Sequence, residues 1–166
     1  MKQFQSPGSD ANEDPTRYSG IQRLRNLLVM ISQMPNCNLK VTPLTEDQLT
    51  HLDKRLPPDQ LELLKQIGEI DIGGGCLLLD TFIPRRVADD PNRLFEMDEN
   101  KEAEHFLIYA RDGHGDCFGY DTRTLPYESY RWDFCAFHPE KTEEAGALQL
   151  IENIVAVLLE WLGRLP

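Results

Sequence analysis

The residues with the richest chemistry lie in RDGHGDCFGYD, residues 111–121, which holds three aspartates, His114 and Cys117. Aspartates at this density are typical of calcium loops. A cysteine three residues after a histidine offers either a nucleophile with its base or two zinc ligands. A second pair of this kind, Cys135 and His138, follows. The segment therefore raises three hypotheses: calcium binding, zinc binding and thiol catalysis.

The spacing of these residues fits neither metal hypothesis, and thiol catalysis is disfavoured because each cysteine lies within a predicted strand, where it packs as a small apolar residue. An EF-hand loop that began at Asp112 would need an acid or amide at its third position and Glu at its twelfth, where His114 and Arg123 stand. The Cys and His pairs match no familiar zinc pattern. The three glycines at 73–75 lack the Lys-Ser or Lys-Thr of a phosphate-binding loop. We expect no catalytic residue, no metal and no cofactor.

Charge is the remaining signal in the sequence. Seventeen Lys and Arg against 28 Asp and Glu give a net charge of −11 at pH 7. A surface this acidic repels phosphate backbones and anionic headgroups, so we expect no nucleic acid and no membrane as partner, but a basic protein. Residues 89–104 hold seven acids against two bases, and residues 112–128 hold four against one.

Two interpretations of this acidic surface stay open. It either keeps the protein soluble as a solvated face, or it forms a docking face that speeds association with a basic partner. In the second interpretation, tyrosines among the acids serve as anchors. The candidate partner-binding residues are then Asp112, His114, Asp116, Tyr120, Asp121, Tyr127 and Glu128.

Cysteine use and hydropathy favour a cytoplasmic protein. The four cysteines lie far apart, and MKQFQSPGSD lacks the apolar run of a signal peptide. The apolar stretch IVAVLLEWL is too short to span a bilayer and is interrupted by Glu160. We therefore expect reduced, mostly buried thiols and no transmembrane segment.

Helical spacing dominates the first part of the chain, after a polar leader. Residues 1–18 show no period and contain Pro and Gly, which predicts a flexible leader followed by a single domain over 19–166. Capping-box spacings and breaks at proline and glycine predict three helices, at 21–34, 45–56 and 58–68.

After Gly68, short apolar runs separated by glycine replace the helical spacing and predict strands at 70–80, 81–83, 105–111, 117–121 and 130–137. Asp112-Gly113, between two apolar runs, predicts a hairpin turn. Apolar residues at helical intervals from Leu148 to Leu162 predict a last helix. This order predicts an α+β fold with N-terminal helices, a mainly antiparallel sheet of about four to six strands, and a long C-terminal helix packed on it.

Two stretches together resemble the SUKH superfamily, which includes yeast cell-wall assembly regulators and many bacterial immunity proteins. LTEDQLTHLDKRLPPDQLELLKQIG, residues 44–68, is similar to the helix, Leu-Pro-x-Asp, helix segment of that family. FLIYARDGHGDCFGYDTR, residues 106–123, is similar to its strand, Gly-Asp turn and strand ending in Asp. The matching positions are Leu56, Pro57, Asp59, Gly115, Asp116 and Asp121. The chain departs from the family after the third helix, where it has Ile-Gly-Glu instead of Asn-Gly.

The resemblance implies an α+β domain that binds another protein and has no catalytic residues. Bacterial members of the family typically neutralise a toxin, and eukaryotic relatives suggest a regulatory or scaffold adaptor instead. Together with the acidic balance, the resemblance predicts an immunity protein with a cognate, basic toxin as partner, and an adaptor is the alternative. An enzyme that uses His114 and Cys117 is the third hypothesis.

Overall fold

The computed structural model describes residues 20–74, 77–86, 105–113, 115–125, 127–132, 140–142 and 146–161. The predicted leader at 1–18, the acidic segment at 89–104 and the candidate residue His114 lie outside these ranges. Fifteen Asp and Glu against twelve Lys and Arg belong to the described residues, so most of the excess negative charge lies elsewhere in the chain.

The described residues form four helices and a seven-stranded antiparallel sheet. The helices are α1 Gly20–Ser32, α2 Glu46–His51, α3 Pro58–Gln66 and α4 Ala147–Trp161. The strands are β1 Asn38–Thr42, β2 Glu69–Gly74, β3 Leu77–Arg86, β4 Phe106–Asp112, β5 Cys117–Asp121, β6 Glu128–Trp132 and β7 Glu140–Lys141. They are hydrogen-bonded in chain order from β1 to β7. The predicted α+β class is confirmed, and the sheet has more strands than the expected four to six.

The second helix starts where the sequence predicts and ends earlier. Thr45 and Gln48 form the capping box: the Gln48 backbone N–H donates to the Thr45 hydroxyl (3.2 Å), and the Thr45 N–H donates to the Gln48 side chain (2.9 Å). The helix stops at His51 instead of residue 56. Asp53 accepts the backbone N–H of Arg55 at 2.9 Å, and this local turn competes with helical hydrogen bonding.

The helices cover one face of the sheet and bury two apolar clusters. In the first, α1 and α4 pack on β2 and β3 through aliphatic side chains, among them Leu24, Leu28, Ile31, Ile70, Ile72, Leu79, Ile151 and Val155. In the second, aromatic side chains of β4 and β5 meet the α2–α3 region, through Leu52, Leu56, Leu64, Tyr109, Phe118 and Tyr120. Burial of each large apolar side chain contributes roughly 1.5–3 kcal/mol.

The opposite face carries its own apolar cluster under the middle of the sheet. Phe106 packs edge-to-face against Tyr130 and Trp132, with ring centroids 5.5 and 5.7 Å apart. Every residue of β5 is buried, as expected of a strand covered on both faces. No helix in the described ranges is both long and apolar enough to cross a bilayer.

Candidate functional site

The face of the sheet opposite the helices carries a polar cavity across β1 to β4. Its volume is about 350 Å³. The polar residues around it on β1 and β2 alternate with aliphatic residues that pack under the helices, so these polar side chains point to the other side of the sheet. Its charged lining consists of Lys40, Glu69, Asp71, Asp80, Arg85 and Arg111.

A row of four charges crosses the sheet along the cavity. The strand register places Lys40 opposite Asp71, Asp71 opposite Asp80, and Asp80 opposite Arg111. The Arg111 guanidinium donates to the Asp80 carboxylate at 3.3 Å. Partial burial raises the pKa of Asp80 and the neighbouring Asp71 adds to the increase, whereas Arg111 opposes it. The two acids and two bases of the row balance in charge, and Arg85 of the same lining also opposes the increase in the pKa of Asp80.

An irregularity in β3 shapes one side of the cavity. The β3–β4 register shifts between Thr81 and Arg85, so that β3 contains two more residues than β4 between the flanking pairs. Within this irregularity, the Phe82 ring lies beneath two guanidinium groups, with Arg85 at 4.2 Å and Arg111 at 5.3 Å from its centroid. Both arginines of the lining are thus held against an aromatic ring.

The hairpin turn that attracted the chemical hypotheses is closed by its own residues. The Asp112 N–H donates to the Asp116 carbonyl (3.1 Å), and the Asp112 carboxylate accepts the Asp116 N–H (3.1 Å). Gly115 has φ +92°, a conformation that glycine adopts without strain. The Asp116 carboxylate is buried and accepts hydrogen bonds from Nε (2.7 Å) and Nη2 of Arg131. The predicted hairpin is confirmed, and an arginine neutralises one of its acids.

The acids at the other end of β5 are also paired. Asp121 is buried and receives three side-chain hydrogen bonds from Arg123, at 3.0, 3.1 and 2.7 Å. These bonds hold the pKa of Asp121 below its usual value. Glu128 accepts from Lys141 at 2.7 Å, and this hydrogen bond likewise lowers the pKa of Glu128.

Two of the candidate tyrosines belong to the core. Tyr120 has no exposed surface, its hydroxyl donates to the Gln60 side chain at 2.9 Å, and burial raises its pKa. Tyr127 is 5% exposed, and the Arg55 guanidinium lies 5.9 Å from its ring centroid. Direct contact with a partner needs accessible surface, which Tyr120 lacks and of which Tyr127 has very little.

The sequence-predicted residues do not form one patch. Asp112 and Asp116 lie at the start of β5, whereas Asp121 and Glu128 lie together at its far end. The five-residue strand between them is roughly 13–17 Å long. Cys117, the candidate nucleophile, is fully buried in the cluster of Phe106 and Trp132. Within the described ranges, no group of three or more His, Cys, Asp or Glu side chains is placed to hold a metal ion.

The residues that carry the family resemblance join the helices to the sheet. The Asp59 carboxylate accepts the backbone N–H of Leu148 at 3.1 Å, in the first turn of α4. The next residue, Gln60, binds the Tyr120 hydroxyl. Asp59 of the Leu-Pro-x-Asp segment therefore contacts the last helix, and the residue after the segment contacts strand β5, so this part of the chain has a structural role.

Sequence reasoning did not single out the cavity residues. The alternation in Glu69-Ile70-Asp71-Ile72 was the available signal, because a half-buried strand directs its acids away from the core. The pairing of Asp71 with Asp80 depends on the register of β2 against β3, which the alternation does not supply.

Comparison of the chain with protein-family models, with curated proteins and with solved structures gave no match. The resemblance to the SUKH superfamily stays a prediction that rests on the two sequence stretches.

Proposed function

We propose that this protein is a non-catalytic, cytoplasmic, SUKH-like protein-binding domain that neutralises a cognate basic toxin. The observation that carries the proposal is the net charge of −11. Among the described residues, the buried acids Asp116 and Asp121 are neutralised by arginines, whereas exposed acids such as Glu46, Glu62 and Asp71 have no ion pair. Free exposed carboxylates accelerate association with a basic protein and favour it over acidic competitors.

The position of Cys117 supports a binding role over thiol catalysis. A nucleophilic cysteine must be accessible and lie in an electropositive environment. The Cys117 side chain has no exposed surface and packs with Phe106, Ile108 and Trp132, as a small apolar residue does.

Co-expression tests the proposal. The chain is produced together with the toxin encoded beside its gene, and we expect cells to survive in proportion to the amount of the chain. A chain with Leu63→Asp, which places a charge at a fully buried position, is the control that should not protect. Absence of protection together with absence of binding to the purified toxin would count against the proposal.

A pull-down distinguishes the adaptor alternative. The full chain, immobilised at low salt, should retain a basic protein whose dissociation constant increases with ionic strength, because exposed charges are screened. A retained partner that is harmless when expressed alone would favour the adaptor. A Cys117→Ser chain should retain the same partner, since the thiol is not part of the surface.

A further inference from the structure

The interface between α1 and α4 buries two polar atoms that have no hydrogen-bond partner among the described residues. Glu152 of α4 is 3% exposed, and its Oε1 atom accepts no hydrogen bond. Arg23 of α1 is half-buried, and its buried Nε–H likewise has no acceptor. Buried polar groups are nearly always hydrogen-bonded, either to protein or to an ordered water, so each of these two atoms needs a partner.

The packing of the two helices brings both atoms to the same part of the interface. Gly20, the first residue of α1, lies against Leu148 in the first turn of α4: a Cβ on Gly20 would be 3.9 Å from Leu148 Cδ2. Arg23 follows Gly20 by three positions, one turn along the same face of α1. Glu152 follows Leu148 by four positions, one turn along the same face of α4. The two groups also interact electrostatically, because burial raises the pKa of Glu152 and the charge of Arg23 opposes this increase.

No direct bond joins the two side chains. Within the described part of the chain, Arg23 and Glu152 form neither an ion pair nor a hydrogen bond. The buried side chains around them are aliphatic and offer no donor or acceptor, among them Leu24, Leu27, Ile151 and Val155. A donor and an acceptor therefore face one another across an apolar interface without touching, which is the arrangement that a bridging water completes.

We infer that a single ordered water molecule lies between α1 and α4, where it accepts the Arg23 Nε–H and donates to the Glu152 carboxylate. Water fits this position because it is small and is both a donor and an acceptor. An anion would be repelled by the Glu152 carboxylate and a cation by the Arg23 guanidinium, so neither ion suits the position. The water satisfies both buried atoms and links the two helices at one defined point of an otherwise aliphatic contact.

A high-resolution crystal structure of the full chain tests the site directly. We expect one water peak within hydrogen-bond distance, about 2.7–3.2 Å, of both Arg23 Nε and a Glu152 carboxylate oxygen. Glu152→Gln retains an acceptor at this position and should keep the water. Glu152→Leu replaces the carboxylate by methyl groups, and the water should be lost because one of its two partners is gone.

Solution NMR gives a second measurement, which does not depend on crystals. In the parent chain, the Arg23 Nε–H should show cross-peaks to water that have opposite signs in laboratory-frame and rotating-frame spectra, as a long-lived bound water produces. The Arg25 Nε–H on the same helix is the control, and it should show exchange with solvent alone, since the Arg25 guanidinium donates to the Gln66 carbonyl through Nη2 at 3.2 Å. The bound-water cross-peaks of Arg23 should persist in Glu152→Gln and disappear in Glu152→Leu.

The inference is overturned if the crystal structure shows Arg23 and Glu152 in direct contact, or if the parent chain gives no bound-water cross-peak at the Arg23 Nε–H. Persistence of this cross-peak in a folded Glu152→Leu chain would also overturn it. Thermal melts show whether each variant is folded, and if Glu152→Leu does not fold, the parent and Glu152→Gln chains decide the question. These outcomes do not bear on toxin binding, which the co-expression experiment tests separately.

Discussion

Replacing Tyr120 by Phe separates a core role of this tyrosine from the partner contact that the sequence suggested. The hydroxyl donates to the Gln60 side chain at 2.9 Å, and both residues lie in the interior of the protein. Tyr120 and Gln60 are at most 1% exposed, so water cannot replace the lost partner. A buried polar group left unsatisfied costs about 1–3 kcal/mol, and we expect a loss near 2 kcal/mol in the free energy of unfolding.

Urea unfolding, followed by tryptophan fluorescence, measures this loss. Tyr130→Phe is the matched control: its hydroxyl donates to the Glu128 carboxylate at 3.2 Å at a partly exposed position, and its removal should cost under about 1 kcal/mol. Binding of the retained partner should be unchanged in both variants. A Tyr120→Phe chain of parental stability with weakened binding would refute the buried placement of this side chain.

Three further variants have defined outcomes. Gly68→Ala should lower the free energy of unfolding by at least about 3 kcal/mol, because Gly68 has φ +99° and an added Cβ would overlap the Thr42 carbonyl oxygen. Gly73→Ala is the control: an added Cβ there has open space around it, and the loss in the same urea assay should be under about 1 kcal/mol. Burial raises the pKa of Glu152, so the folded state retains its proton more readily than the unfolded state, and stability falls as pH rises from the unfolded pKa through the folded pKa. Glu152→Gln should therefore stabilise the chain at pH 7, and this gain in stability should vanish in thermal melts below about pH 4. An equal gain at both pH values would contradict the raised pKa of Glu152. Cys117→Ser should lower the free energy of unfolding by about 1–3 kcal/mol and leave partner binding intact, and loss of binding without loss of stability would contradict a core thiol.

Several helix starts and one hairpin turn could be predicted from sequence because their signals are local. The Thr45 capping box, the helix start at Pro58 and the hairpin after Asp112 each depend on a few neighbouring residues, and all three are present. Strand β1, residues 38–42, was missed because five residues between Pro35 and Pro43 are too short for alternation to stand out. The early end of α2 was missed because the competing turn at 53–55 acts through a side chain.

The sequence predicted an acidic surface but not which side chains lie together on it, because their positions depend on pairing across the sheet. Both faces of β5 are covered, and periodicity does not show burial in such a strand. Tyr120 was therefore predicted to be an exposed anchor, although it is buried. Nor could periodicity show that Asp116 meets Arg131, fifteen residues later, or that Asp71 meets Asp80. These contacts follow from strand register, which depends on the turns and on the whole buried face.

One measurement tests the central claim most directly: the dissociation constant of the full chain for a candidate basic toxin of the kind we propose as its partner, at about 50 and 300 mM salt. An acidic neutralising domain predicts tight binding at low salt and a marked loss at high salt, since the Debye length falls from roughly 14 to 6 Å over this range. Absence of binding at low salt, or an affinity that does not change with ionic strength, would contradict the account.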